Sequence, residues 1–113
     1  MAGYFEIRRG TGGAFRFNLK AGNHETILTS ETYTTKDAAL NGIESVRKNA
    51  AEDGNFDRRT AKDGSPYFVL VAGNQQVIGK SEMYSAESAM ENGISSVQKN
   101  AVDAKVVDKS DEA

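Results

Sequence analysis

The chain has 113 residues (12.2 kDa), is 38% apolar and 27% charged, and carries fourteen Lys and Arg against sixteen Asp and Glu with no cysteine. Its size suits one folded domain with a single core, its hydrophobicity is too high for lasting disorder, and the missing cysteines remove disulfides, thiolate nucleophiles and thiolate metal ligands. A formal charge of −2 gives no global basic field and so disfavours nucleic acid, while the lack of an apolar run of about 18 residues or of a leader-like N-terminus predicts a cytoplasmic protein with no membrane partner.

In chain order, Phe5 and Ile7 alternate with Glu6 and Arg8, the two-residue period of a half-buried strand. Gly10-Thr11-Gly12-Gly13 then reads as a hairpin loop, since no Lys and helix follow it as a phosphate loop requires. Phe15, Phe17 and Leu19 mark a second strand, Ala21-Gly22-Asn23 a turn whose residues tolerate positive φ, and Ile27 a third strand. Past Tyr33 the period lengthens. Ala38, Ala39, Gly42, Ile43, Val46 and Ala50 form one helical stripe, with Thr34 and Asp37 as a capping box and a start near residue 35. Asn41-Gly42 is a turn signal that opposes this, and Gly costs a helix about 1 kcal/mol relative to Ala. The stripe nevertheless continues in phase, and a Gly on the apolar side lets a helix approach a sheet closely.

The pattern then repeats. A gapless shift of 51 residues carries Phe17–Asn23 (FNLKAGN) onto Phe68–Asn74 (FVLVAGN), Ser30-Glu31-Thr32-Tyr33 onto Ser81-Glu82-Met83-Tyr84, and the segment Asn41–Ala50 onto Asn92–Ala101. Ser85 takes the capping place in the second copy. The same shift sets Phe5 on Phe56 and then on Val107, so the apolar pair Val106-Val107 predicts a seventh strand lying beside a strand of the other copy. About 50 residues bury too little to be stable alone, so the copies share a core. The reading is α+β: two tandem units of three strands and a helix, spanning about 4–54 and 55–108, on one antiparallel sheet with both helices on one face. Residues 109–113 read as a flexible acidic tail.

The paired AGN hairpins, the Ser-Glu-x-Tyr segment and the Asn-Gly-Ile-x-Ser-Val-x-Lys-Asn-Ala helix resemble the YegP-like family of bacterial proteins of unknown function. The resemblance covers about residues 4–108. It implies two units in a single sheet with some exchange of C-terminal strands, and a monomer that acts as a covalent pseudo-dimer. It brings no activity, cofactor or substrate.

No catalytic or metal-ligating set stands out. His24, the sole histidine, sits in a turn opposite Gln75 of the other copy, and the composition points to no cofactor. Three groups of residues remain candidates. The sheet face away from the helices presents Tyr4, Arg8, Arg16, Lys20, Arg59 and Tyr67, with Val69 and Val71, a mixture suited to a protein partner and, less readily, to weak single-stranded nucleic-acid binding. On the helices, Asn41, Ser45 and Lys48 with Asn92, Ser96 and Lys99 are identical between copies, serving either backbone hydrogen bonding or a ligand. Glu31 and Glu82 with Lys48 and Lys99 form the third candidate, a small-ligand or enzyme site that requires a shared pocket. The leading expectation is a non-enzymatic binding module using the open sheet face.

Overall fold

A computed structural model describes residues 3–110, with the side chain of Thr11 left aside. Strands β1 (Tyr4–Arg9), β2 (Phe15–Lys20) and β3 (Thr26–Ser30) lead into helix α1 (Lys36–Ala50). The second unit follows as β4 (Phe56–Thr60), β5 (Pro66–Val71), β6 (Val77–Lys80) and α2 (Glu87–Asp103), and the described chain closes with β7 (Lys105–Asp108). All seven strands join one sheet in the order β4-β5-β6-β3-β2-β1-β7. The units meet through β3 and β6, where Thr29 faces Lys80, its own repeat mate, so a pseudo-twofold axis passes between them. The sheet is mixed rather than wholly antiparallel: β7 lies beside β1 of the other copy, as its repeat position suggests, but runs parallel to it.

Both helices pack on one face. Phe5, Ile7, Phe17, Leu19, Phe68 and Leu70 point from the sheet, and Ile43, Val46, Ile94 and Val97 from the helices, all buried in one cluster. Gly42 and Gly93 lie within unbroken helices because tertiary packing overrides the local turn signal. Tyr33 stacks on Phe17 and Tyr84 on Phe68, with ring planes 10° and 11° apart, and each phenol oxygen lies against the helix at Gly42 or Gly93. The glycines let the helices sit down on these rings, so the tyrosine hydroxyls are turned to the helix and are not simply surface groups.

Local details differ from the sequence reading in three places. The α1 cap is Thr35, whose side chain accepts a hydrogen bond from the Ala38 N–H at 3.1 Å, and not Thr34. The matching position in the second copy is Ala86, which has no cap side chain, so Ser85 does not cap α2. In the hairpins, Ala21 and Ala72 donate to the carbonyls of Glu25 and Gln76, and the left-handed residue is His24 (φ 70°) or Gln75 (φ 72°) rather than the Gly or Asn before it. Asn23 and Asn74 instead use their side-chain oxygens to accept from the N–H two residues on. Lys109 and Ser110 are attached to the sheet rather than forming a tail: the Lys109 N–H donates to the Ile7 carbonyl at 2.8 Å, and Ser110 is buried. Asp111 to Ala113 lie outside the described residues.

Candidate functional site

Strand alternation sends every second side chain away from the helices, and the register aligns these residues into rows. The middle row crosses all seven strands: Asp57, Val69, Lys80, Thr29, Asn18, Glu6 and Val107, each opposite the next. Tyr4 is paired with Lys20 and Lys105 on one side of that row. Arg59, paired with Tyr67, lies on the same side of the row as Tyr4, and Arg8, paired with Arg16, lies on the opposite side. The structure thus brings Tyr4, Arg8, Arg16, Lys20, Arg59 and Tyr67 onto one uncovered face. Val69, expected to be exposed there, is 2% accessible. It lies between Asp57 and Lys80 across the strands, and the Lys80 ammonium sits 5.0 Å from the Tyr67 ring centre.

Charge on this face is strongly one-sided. Among the described residues it carries seven cations (Arg8, Arg16, Lys20, Arg59, Lys80, Lys105 and Lys109) and four carboxylates (Glu6 and Asp57 on the strands, with Glu31 and Glu82 beside Arg16 and Lys80 at its centre). A face of net +3 on a chain of net −2 leaves −5 for the remainder. Glu6 organises the cationic half. It is only 2% accessible, yet Arg8 Nε donates to it at 2.6 Å, and the Lys109 and Lys20 ammoniums lie 3.6 and 3.9 Å away. Burial pushes the Glu6 carboxyl upward, but the Arg8 hydrogen bond and the charges of Lys20, Arg8 and Lys109 outweigh it and hold the group below its usual range. Three cations thus surround one buried carboxylate. Sequence reasoning missed Lys80, Lys105 and Lys109 on this face, since their placement depends on β6 register and on the parallel pairing of β7.

A groove at the edge of the face, of about 620 Å³, is lined by Tyr4, His24, Asp103, Lys105, Val107 and Lys109. Tyr4 and His24 share a 3.0 Å hydrogen bond between the phenol oxygen and Nδ1, and their rings meet edge-on. His24 is therefore a turn residue that also forms one wall of the face.

The repeated helix residues separate by role. Asn49 and Asn100 donate to the carbonyls of Ser45 and Ser96 at 2.8 Å, and their own oxygens accept from Asn55 and from the Gly3 N–H. Lys48 and Lys99 are exposed. Asn41 and Ser45 line a cleft of about 560 Å³ between α1 and the β5–β6 hairpin of the other copy, with Glu31, Tyr33, Asn74 and Gln76. Asn92 and Ser96 hold the matching positions on α2. Burial raises the Tyr33 hydroxyl, with Glu31 adding to it, and burial then Glu82 and Glu25 raise that of Tyr84. Glu31 and Glu82 share a depression of about 420 Å³ over the pseudo-twofold axis with Arg16 and Lys80, and neither Lys48 nor Lys99 reaches it. The expected Glu–Lys pairing is therefore not assembled.

The repeated Ser of each Ser-Glu-x-Tyr segment has a local task. Buried Ser30 accepts from the Phe17 N–H at 2.9 Å and donates to the Glu31 carbonyl, and Ser81 does the same for Phe68 and Glu82. This closes the strand end where β3 or β6 leaves the sheet.

The family described as "Domain of unknown function (DUF1508)" matches twice, over residues 11–57 and 61–108. The chain belongs to this family. The UPF0339 protein YegP of Escherichia coli K12 is 48% identical over 108 residues, covering 96% of this chain and 98% of that protein. A UPF0339 protein of Bordetella pertussis is 55% identical over 109 residues, covering 96% and 97%. The solution NMR structure of E. coli yegP superposes with a TM-score of 0.94 at 46% identity, covering 100% of this chain and 97% of that one. A UPF0339 protein from Shewanella oneidensis gives 0.93 at 46%, covering 99% and 95%. The family has no assigned function, and its members' names indicate none. Among the described residues no helix is long and apolar enough to cross a membrane.

Proposed function

We propose that the chain is a non-enzymatic binding module and that the open sheet face is its binding surface. The carrying observation is charge segregation: a sheet face of net +3 on a protein of net −2. Folding otherwise favours dispersing like charges, since directly opposed like charges such as Arg8 and Arg16 are unfavourable in a sheet. The helix cleft and the axial depression offer hydroxyls, amides and carboxylates, but within the described residues the one hydroxyl–imidazole contact, Tyr4 with His24, is exposed and has no third group orienting the ring.

Retention on a polyanionic resin tests this reading. At pH 7 and low salt the protein binds despite its negative net charge, and an Arg16→Glu, Lys105→Glu double variant does not. If the unaltered protein passes straight through the column, the face is not an anion-binding surface.

A further inference from the structure

We infer that the occupant of the open face is single-stranded nucleic acid, its phosphates on the cations of β1, β2 and β7 and its bases toward the Tyr67 side. This rests on the open-face reading above and narrows it to one ligand class. The two halves of the face have diverged in a complementary way. Under the 51-residue shift, Arg16, Asn18 and Lys20 of β2 become Tyr67, the buried Val69 and Val71 of β5, so the central strand of one half is cationic and that of the other aromatic and aliphatic, flanked by Arg59 and Lys80. A ligand made of a polyanionic backbone with flat apolar bases fits both halves, because stacking and phosphate contact are the two components of sequence-tolerant single-strand binding.

The cations are arranged to meet a ligand. Glu6 gathers Arg8, Lys20 and Lys109 within 4 Å of one buried carboxylate, and Arg16 and Lys105 are exposed with no ion pair among the described residues. A protein partner is the poorer match. Interfaces centre on exposed apolar anchors, and the exposed Leu40 and Val102 lie on the helices and Val106 on the core side of β7, all off this face. Duplex is also a poorer match, since groove reading needs a projecting helix or ribbon and the face is a flat sheet roughly 29 Å wide at the usual strand spacing. The unfavourable net charge that argues against nucleic acid at the level of composition does not apply to a face on which seven cations outnumber four carboxylates.

Fluorescence anisotropy with labelled dT12 and rU12, beside a 12-base-pair duplex and a poly-glutamate peptide, tests the inference. Both single strands bind at low salt, more tightly than duplex or peptide, with log K falling by about 0.7 per neutralised phosphate for each unit of log salt. Arg16→Ser and Lys105→Ser, at exposed side chains, each weaken binding and flatten that slope by about 0.7, whereas Tyr67→Leu weakens it about tenfold with the slope kept. Peptide or duplex binding as tightly as the single strands overturns the nucleic-acid assignment while leaving the anion-binding face standing. No response to any of the four overturns both.

Discussion

Gly42 and Gly93 occupy helix interiors where alanine would add about 1 kcal/mol of intrinsic preference. A Cβ at Gly42, however, would stand 2.8 Å from Tyr33 Cζ and 2.9 Å from Phe17 Cε2, and Phe17 is fully buried. At Gly93 the phenylalanine contact relaxes to 3.3 Å. Gly42→Ala is expected to destabilise by about 1 to 3 kcal/mol, the usual cost of overpacking, and Gly93→Ala by less, read from urea midpoints. A stabilised Gly42→Ala would mean that Tyr33 does not rest on the helix. The apolar stripe made these helices legible in the sequence despite Asn-Gly, because a long in-phase pattern outweighs one local signal. The cap was not legible: Thr34 and Thr35 are chemically equivalent, and only the helix phase selects the second. The left-handed turn residues escaped for a similar reason, since Gly22 and Asn23 advertise positive φ that the hairpin geometry places on His24.

At the scale of elements, the two sheet edges are treated differently. β7 covers β1, where the core-side residue is Ile7 and α1 carries Leu40. Nothing in the described chain covers β4, and there the repeat mates are Arg58 and Glu91, joined by two hydrogen bonds of 2.5 and 2.9 Å. The Arg58 hydrogen bond holds the Glu91 carboxyl below its usual range, and the same bond raises the arginine. A charged pair on a free edge opposes strand addition by another molecule. Restoring the first-copy residues with Arg58→Ile and Glu91→Leu should therefore produce concentration-dependent association in sedimentation, where the unaltered chain stays monomeric; a monomeric double variant would show that the pair does not guard the edge.

β7 itself is held partly by charge. Asp108 is drawn down to about 2 from 3.8, first by the Ser110 hydroxyl and then by Lys36 of α1, 2.9 Å away. Because its folded pKa lies below the unfolded one, this contribution is present above about pH 4 and is lost as pH falls toward 2. The melting temperature of Asp108→Asn should therefore fall less than that of the unaltered protein over this interval. The difference is small and shrinks with salt, since the pair is partly exposed. Parallel pH profiles would contradict the assignment. The sequence reading located this strand through Val106 and Val107, but an apolar period carries no information on strand direction, and the parallel pairing emerges only from the path of α2.

For the whole molecule, tandem fusion makes a single sheet with one free face, and folding sorts a nearly balanced set of charges into a basic face and an acidic remainder. Composition reports the balance and conceals the sorting, which is why Tyr4, Arg8, Arg16, Lys20, Arg59 and Tyr67 could be placed together from alternation alone while Lys80, Lys105 and Lys109 could not. The same sorting separates two candidate sites, the open face and the cleft between α1 and the second hairpin. Chemical-shift mapping of isotope-labelled protein with a polyanion distinguishes them most directly. The account predicts shifts at Glu6, Asn18, Thr29, Lys80 and Lys105 that vanish at high salt; shifts confined to Asn41, Ser45, Asn74 and Gln76 would contradict it.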